Sequence, residues 1–99
     1  MAQTPTAAFS VRTRVRMHNE PGMLGRLTTA IGATGANIVG LEGFEVKTEY
    51  LEEDIIINCA SVSHQEEVRQ VLQGLDGIDV LEWEDRTFKM HEGGKVEVL

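Results

Sequence analysis

The stretch MHNEPGMLGRLTTAIGATGANIVG, residues 17–40, decides the fold. It opens on polar residues and a Glu20-Pro21-Gly22 turn, then becomes periodic. Pro21 stands where a first helical residue would, a position at which its missing N–H costs nothing. Leu24, Leu27 and Ile31 follow at helical spacing, with Ala30 and Thr34 beside them, which predicts a helix with one apolar stripe. Gly35 fits the C-cap. The stretch then runs through Asn37 and Ile38 into a second strand. One helix therefore has an asparagine beside glycine at each of its edges, Asn19 and Asn37.

Upstream, FSVRTRVRM (9–17) alternates: Phe9, Val11, Val15 and Met17 share one face, and Ser10, Arg12, Arg14 and Arg16 the other. That pattern predicts a half-buried strand. Its arginine face is either solvated or opposed by something acidic. Residues 1–8 are small and polar and are expected to be disordered. Downstream, NIVGLEGFEVK (37–47) reads as a second strand in which Gly40 and Gly43 mark a bulge or a close backbone approach. TEYLEED (48–54) reads as a turn region, with Glu49, Glu52, Glu53 and Asp54 at a solvated hairpin tip. IIINCASV (55–62) is a third strand, apolar enough to be central.

Ser63 and Glu66 form a Ser-x-x-Glu capping box. Val68, Val71, Leu72 and Leu75 then recur at i, i+3, i+4 and i+7, a second amphipathic helix ended by Gly74 or Gly77. IDVLEWED (78–85) is the fourth strand. The order β-α-β-β-α-β, with short connections and two one-sided helices, predicts an α+β, ferredoxin-like fold. Its four-stranded antiparallel sheet carries both helices on one face.

Length and charge narrow the function. The chain has 99 residues, which suits one domain. Its net charge of −7 argues against binding a phosphate backbone, so no nucleic acid is expected. No apolar run approaches about 18 residues, so no membrane span is expected. The start, MAQTPTAA, lacks the basic and apolar regions of a signal peptide. Cys59 is the single cysteine, which leaves no disulfide framework, and the cytoplasm is the expected compartment. His18, His64 and His91 are too scattered for a joint metal site, and His64 reads as a solvated first-turn residue. Cys59 reads as a buried inert thiol, and Trp83 as a packed ring.

The helix start carries the chemistry. Backbone N–H groups near Gly22, Met23 and Leu24 have no intrahelical partners and sit at the positive end of the helix dipole. Such a turn suits a carboxylate. Gly22 allows close approach, and Asn19 offers both a donor and an acceptor to a zwitterion. Asn37 could do the same from another direction. The alternative is structural: Pro-Gly often starts a helix, and Asn after Gly is a common turn.

The pattern Asn-x-Pro-Gly-x-Leu, an amphipathic helix and then Gly-x-Asn-Ile resembles the ACT domain, over roughly residues 9–86. The resemblance implies a regulatory module for a small ligand, most often an amino acid. It also implies two copies paired side by side through their second strands as a homodimer. The ligand-binding residues it implies are Asn19, Gly22, Met23 and Leu24 in the loop, with Asn37 and Ile38 on the partner's strand. Serine-binding members have His two residues before the loop Asn; here that residue is Met17, which should point to the core while His18 points away. Serine is therefore not the expected effector.

The tail DRTFKMHEGGKVEV (85–98) is similar to the N-terminal segment of bacterial NAD-dependent malic enzymes. This resemblance implies that residues 87–99 are a linker into a catalytic region outside the chain. It also places NAD and a divalent metal there, with no cofactor and no catalytic residue in this chain. Three function classes remain open: an effector-binding domain controlling the rest of its own enzyme, a dimerisation module with a vestigial pocket, and a small enzyme of acylphosphatase-like architecture. The last lacks an Arg and Asn pair around a phosphate loop.

Overall fold

The computed structural model describes residues 4–87 and 95–99. The elements are β1 (Thr6–His18), α1 (Met23–Ala33), β2 (Asn37–Val46), β3 (Tyr50–Cys59), α2 (Val62–Gln73), β4 (Ile78–Asp85) and β5 (Lys95–Val98). The sheet order is β2-β3-β1-β4-β5, every neighbouring pair antiparallel. The ferredoxin-like β-α-β-β-α-β arrangement is present as expected, and β5 adds a fifth strand beside β4. The run KVEV, expected to lie outside this unit, is thus its edge strand. Residues 88–94, which hold half of the tail motif and His91, lie outside the described residues.

Central β1 sets both faces of the sheet. Val11, Val15 and Met17 are fully buried, and with Leu27, Ile31, Ile55, Ile57, Val68 and Leu72 they form the core beneath the helices. On the other face the arginines meet acids across both neighbouring strands. Arg14 stands opposite Asp54 and Glu82, Arg12 opposite Glu84, and Arg16 opposite Glu52. Arg14 grips Asp54 through Nε at 2.7 Å and Nη2 at 3.0 Å, a two-point geometry that favours Arg over Lys. Arg12 reaches Glu84 at 2.9 Å and Glu82 at 2.8 Å. Arg16 bonds Glu52 at 2.6 Å and stacks on the Tyr50 ring at 4.5 Å. The arginine face is thus opposed by acids of the same chain.

Those contacts correct the hairpin assignment. β3 begins at Tyr50, and only Lys47 to Tyr50 makes the turn, closed by a Lys47 N–H bond to the Tyr50 carbonyl at 2.8 Å. Glu52 and Asp54, expected at a solvated tip, are strand residues held by arginines. At the other end, β1 starts at Thr6 rather than Phe9, because Thr6 pairs with Cys59. Thr6–Ala8 are therefore strand and not disordered, while residues 1–3 lie outside the described part.

Both helix starts differ from expectation. Gly22 is the N-cap of α1 with φ 86, so the helix begins at Met23 and Pro21 precedes it. Leu24 is 37% exposed, and Met23 takes its place in the buried row with Leu27 and Ile31. The C-cap is Thr34, with Gly35 following at φ 88. In α2 the cap is Ser61, not Ser63: its Oγ accepts the His64 N–H at 3.1 Å. His64 is 1% exposed rather than solvated. Its Nδ1 accepts the Ala60 N–H at 2.9 Å, which places the ring proton on Nε2, 2.8 Å from the Thr34 carbonyl. One ring thereby ties the end of α1 to the start of α2. Gly74 ends α2 as expected, and β2 is irregular at Gly40 and between Gly43 and Glu45.

The arginine lattice predicts acid sensitivity. Arg14 bonding holds the Asp54 carboxyl below its ordinary range. Burial pushes the Glu84 carboxyl up, but bonds from Arg12 and Arg86 outweigh it and hold it low. Groups with lowered folded pKa values stabilise the fold above about pH 4 and lose that contribution as the pH falls through the folded value. Asp54→Asn keeps one acceptor and should cost about 1 kcal/mol at pH 7, a fall of roughly 4–8 °C in Tm. Melting curves between pH 7 and 3 should show the gap to wild type closing at the acid end.

Candidate functional site

The loop between β1 and α1 is fixed from three sides. His18 donates its N–H to the Gly77 carbonyl at 3.3 Å. Asn19 donates its backbone N–H to the Glu49 carbonyl at 3.1 Å, and its side-chain Nδ2 to the Lys47 carbonyl at 2.9 Å. The amide thus ties the end of β1 to the β2–β3 turn, and its carbonyl oxygen is an acceptor that this bond does not use. Met23 N–H is partly satisfied by the Glu20 carbonyl at 3.3 Å, and Arg26 N–H closes the first helical bond on Gly22 at 2.9 Å. Among the described residues the Leu24 and Gly25 N–H groups meet no acceptor. They are the open donors of this helix start, one residue later than expected.

The expected site residues divide accordingly. Asn19, Gly22, Met23 and Leu24 lie together at one end of the sheet. The Met23 side chain is in the core, with Leu24 partly exposed. Asn37 and Ile38 begin β2 at the far end of the sheet, after α1 has carried the chain back along about 16 Å of helix. Asn37 is exposed and pairs with Asn58, whereas Ile38 pairs with Ile57 and leans on the core. A single protomer therefore does not bring Asn19 and Asn37 together. Met17 is buried and His18 exposed, as its displaced position implied.

One residue at this end was missed in the sequence. Glu53 pairs with Val15 on one side and Gly43 on the other. It belongs to the β3 row Leu51, Ile55, Ile57 that faces the helices. Burial pushes its carboxyl up, and neighbouring Asp54 adds to the shift. Counting back by two from Ile57 and Ile55 would have found it; the surrounding acids disguised the strand.

Elsewhere the chemistry is sparse. A cleft of about 240 Å³ opens at the same end beside Arg16, His18 and Asp79. Another of about 310 Å³ lies between α2 and β4–β5, beside Gln65, Arg69 and Trp83. None of the expected ligand residues lines either cleft. Cys59 is buried, and desolvation pushes its thiol up to about 11, an inert setting. Trp83 is packed, 5% exposed. Among the described residues, no three His, Cys, Asp or Glu side chains converge on a possible metal position. No Ser, Thr or Cys side chain there is hydrogen-bonded to a histidine ring or a carboxylate as nucleophile to base; the Thr87 Oγ accepts from Gln65, and it is the Thr87 backbone N–H that donates to Asp85. Among the described residues no helix is long and apolar enough to cross a membrane.

The family model of the ACT domain matches residues 11–77. The chain is similar to the NAD-dependent malic enzyme of Geobacillus stearothermophilus, 27% identical over 97 residues, which are 98% of this chain and 20% of that protein. It is also similar to NAD-dependent malic enzyme 1 of Bacillus subtilis (strain 168), 34% identical over 94 residues, 93% of this chain and 21% of that protein. The chain spans about a fifth of the length of these curated relatives. Among solved structures, the ACT domain of the GTP pyrophosphokinase of Chlorobium tepidum superposes with a TM-score of 0.60 at 17% identity, covering 74% of this chain and 97% of that one. GqqA, described as a quorum-quenching acylase, gives 0.59 at 12% identity, covering 93% and 50%. At these identities the structural likeness bears on the fold alone.

The two asparagines have separable structural roles. Asn19→Ala deletes one side-chain hydrogen bond and should cost about 0.5–1.5 kcal/mol, several degrees of Tm in a domain this size. Asn37→Ala touches an exposed side chain at a strand start and should leave the unliganded melt within about one degree. Paired thermal melts of the two variants without ligand check this. Equal losses would contradict the assignment.

Proposed function

The chain belongs to the ACT-domain family, and from that premise we propose that it is a regulatory domain for an amino-acid effector bound between two copies of the chain. We infer further that it controls an NAD-dependent malic enzyme of which it forms one part. The observation that carries this reading is the position of β2. It is the sheet's outer strand beside β3, and it exposes Val39, Leu41 and Val46 at 52%, 46% and 69%. An unpaired apolar edge of this kind favours pairing with another strand.

Antiparallel pairing of two β2 strands about a two-fold axis sets the start of one against the end of the other. The partner's Asn37 then approaches Val46 and Lys47, and the Lys47 carbonyl is the group that holds Asn19. Two residues at opposite ends of one protomer thus converge across the interface. The effector's carboxylate would lie over the Leu24 and Gly25 N–H groups, with the Asn19 oxygen and the partner's Asn37 as polar contacts. Gly22 keeps the approach open, Met23 fixes the turn from the core, and Ile38 sets the strand that presents Asn37.

In this reading residues 9–86 are the regulatory unit and residues 87–99 lead to the catalytic part, with β5 first docking on β4. The nicotinamide implied by the name of the relatives, and the divalent metal implied by the sequence resemblance, would bind outside this chain; among the described residues no three His, Cys, Asp or Glu side chains converge to hold a metal. A buried, protonated Cys59 suits a reducing cytoplasm. A second reading, a dimerisation module with a vestigial pocket, draws support from the structural bond that already occupies the Asn19 amide.

Two measurements on the wild-type chain test the proposal. Sedimentation at tens of micromolar should show a dimer; a monomer with and without amino acids would sink it. Thermal melts with each of the twenty amino acids should reveal at least one that stabilises. A ligand at about 100 times its Kd adds about 2.7 kcal/mol, a rise of roughly ten degrees or more. A dimer that no amino acid stabilises would favour the second reading.

A further inference from the structure

We infer that Glu53 receives an ammonium group of the effector, so that the site selects amino acids over carboxylic acids that lack a nitrogen. The inference rests on the shared site proposed above and deepens it.

Its first support is placement. Glu53 follows the row of β3 that faces the helices, between Leu51 and Ile55, and it pairs with fully buried Val15. On the opposite face of the sheet Glu52 is answered by Arg16, Asp54 by Arg14 and Arg12, Glu82 by Arg12 and Arg14, and Glu84 by Arg12 and Arg86, whereas Glu53, in the helix-facing row, lies away from those arginines. Among the described residues Glu53 has no hydrogen bond and no ion pair. A carboxylate in an apolar row without a partner is disfavoured unless something supplies one.

The second support is space. Gly43 stands opposite Glu53 on the outer strand, where a Cβ would lie 3.8 and 3.9 Å from the two carboxylate oxygens. Any longer side chain would project over them; glycine leaves them open toward the edge used by the second copy. The bulge between Gly43 and Glu45 interrupts the ladder at this point. The position is also at the correct end. Leu51, two residues earlier, pairs with Met17, and Asn19 follows Met17 by two residues.

An ammonium group fits this setting best. It offers three donors to a carboxylate that can accept several bonds, and the carboxylate is half-buried in a row that also holds Leu51 and Ile55. A metal ion would need further ligands, which the described residues do not bring together. Desolvation already pushes the Glu53 carboxyl up, the direction that a bound cation would reverse. The ammonium can come from the α-amino group or from a side chain, and the two sources are separable.

The test uses the wild-type chain and Glu53→Gln, which keeps shape and removes charge. Each amino acid that binds wild type is compared with its 2-hydroxy acid, and lysine with norleucine. Loss of binding by the 2-hydroxy acid assigns the α-amino group; loss by norleucine alone assigns the side chain. Either result, with binding to Glu53→Gln weakened roughly tenfold or more and a ligand-induced shift of the Glu53 carboxyl carbon resonance in wild type, supports the inference. Unchanged affinity in Glu53→Gln overturns it and leaves the shared site standing. A wild-type chain that binds none of the amino acids overturns both. If Glu53→Gln does not fold, the analogue comparison and the carboxyl resonance on wild type decide: equal binding of amino and hydroxy acids, with no resonance shift, overturns the inference.

Discussion

The two-sidedness of β1 is the constraint on which the rest depends. Its odd-numbered apolar residues, Val11, Val15 and Met17, build the floor under both helices. Its even-numbered arginines require acids at the same period on both neighbours, and Glu52 and Asp54 on β3 and Glu82 and Glu84 on β4 supply them. A one-residue slip of either neighbour would turn Glu52 and Asp54, or Glu82 and Glu84, toward the core and away from the arginines. The charges therefore specify register as well as adding stability through part-buried, two-point bonds.

Register in turn fixes the edges. With β1 central, β3 and β4 flank it, and β5 covers the outer side of β4. Arg69 on α2 bridges to Glu97 at 2.8 Å and lies over the Trp83 ring at 5.5 Å, so β5 is anchored to the helix layer as well as to the sheet. What is left for a second copy is β2, with its glycines, bulges and exposed Val39, Leu41 and Val46. The loop that carries Asn19 is bound to the same strand through Lys47. Any ligand bridging Asn19 to a second copy would thus act on the strand at the proposed subunit boundary.

Much of this was legible in the sequence, for a definite reason. β1 alternates cleanly, and both helices carry an apolar stripe, so element order and fold class followed from period, although β4 changes phase between Val80 and Trp83. The rest failed where polar residues were read singly. The acids before Ile55 looked like a turn because the partners of Glu52 and Asp54, three arginines about forty residues away, do not show in a local window. Ser61 and Ser63 compete as caps, and only the geometry picks Ser61. His64 has polar neighbours, yet it shares a face with Val68 and Leu72 at i+4 and i+8, a signal of burial that was available. The alternation of KVEV was visible, but a Gly-Gly break separated it from the sheet it joins. Around the proposed site, the helix start and both asparagines were singled out from the sequence, whereas Glu53 was lost with the rest of the misread hairpin.

The central claim is that Asn19 and Asn37 act on one ligand from two different subunits, and a mixing experiment tests it most directly. Purified Asn19→Ala and Asn37→Ala chains are combined, allowed to exchange subunits, and titrated with an amino acid that binds wild type. In a mixed dimer one site loses both asparagines and the other keeps both. Random exchange should therefore restore about a quarter of the wild-type sites at wild-type affinity, although neither variant alone binds well. Binding in the mixture equal to the average of the two separate variants, with subunit exchange verified, would contradict the account.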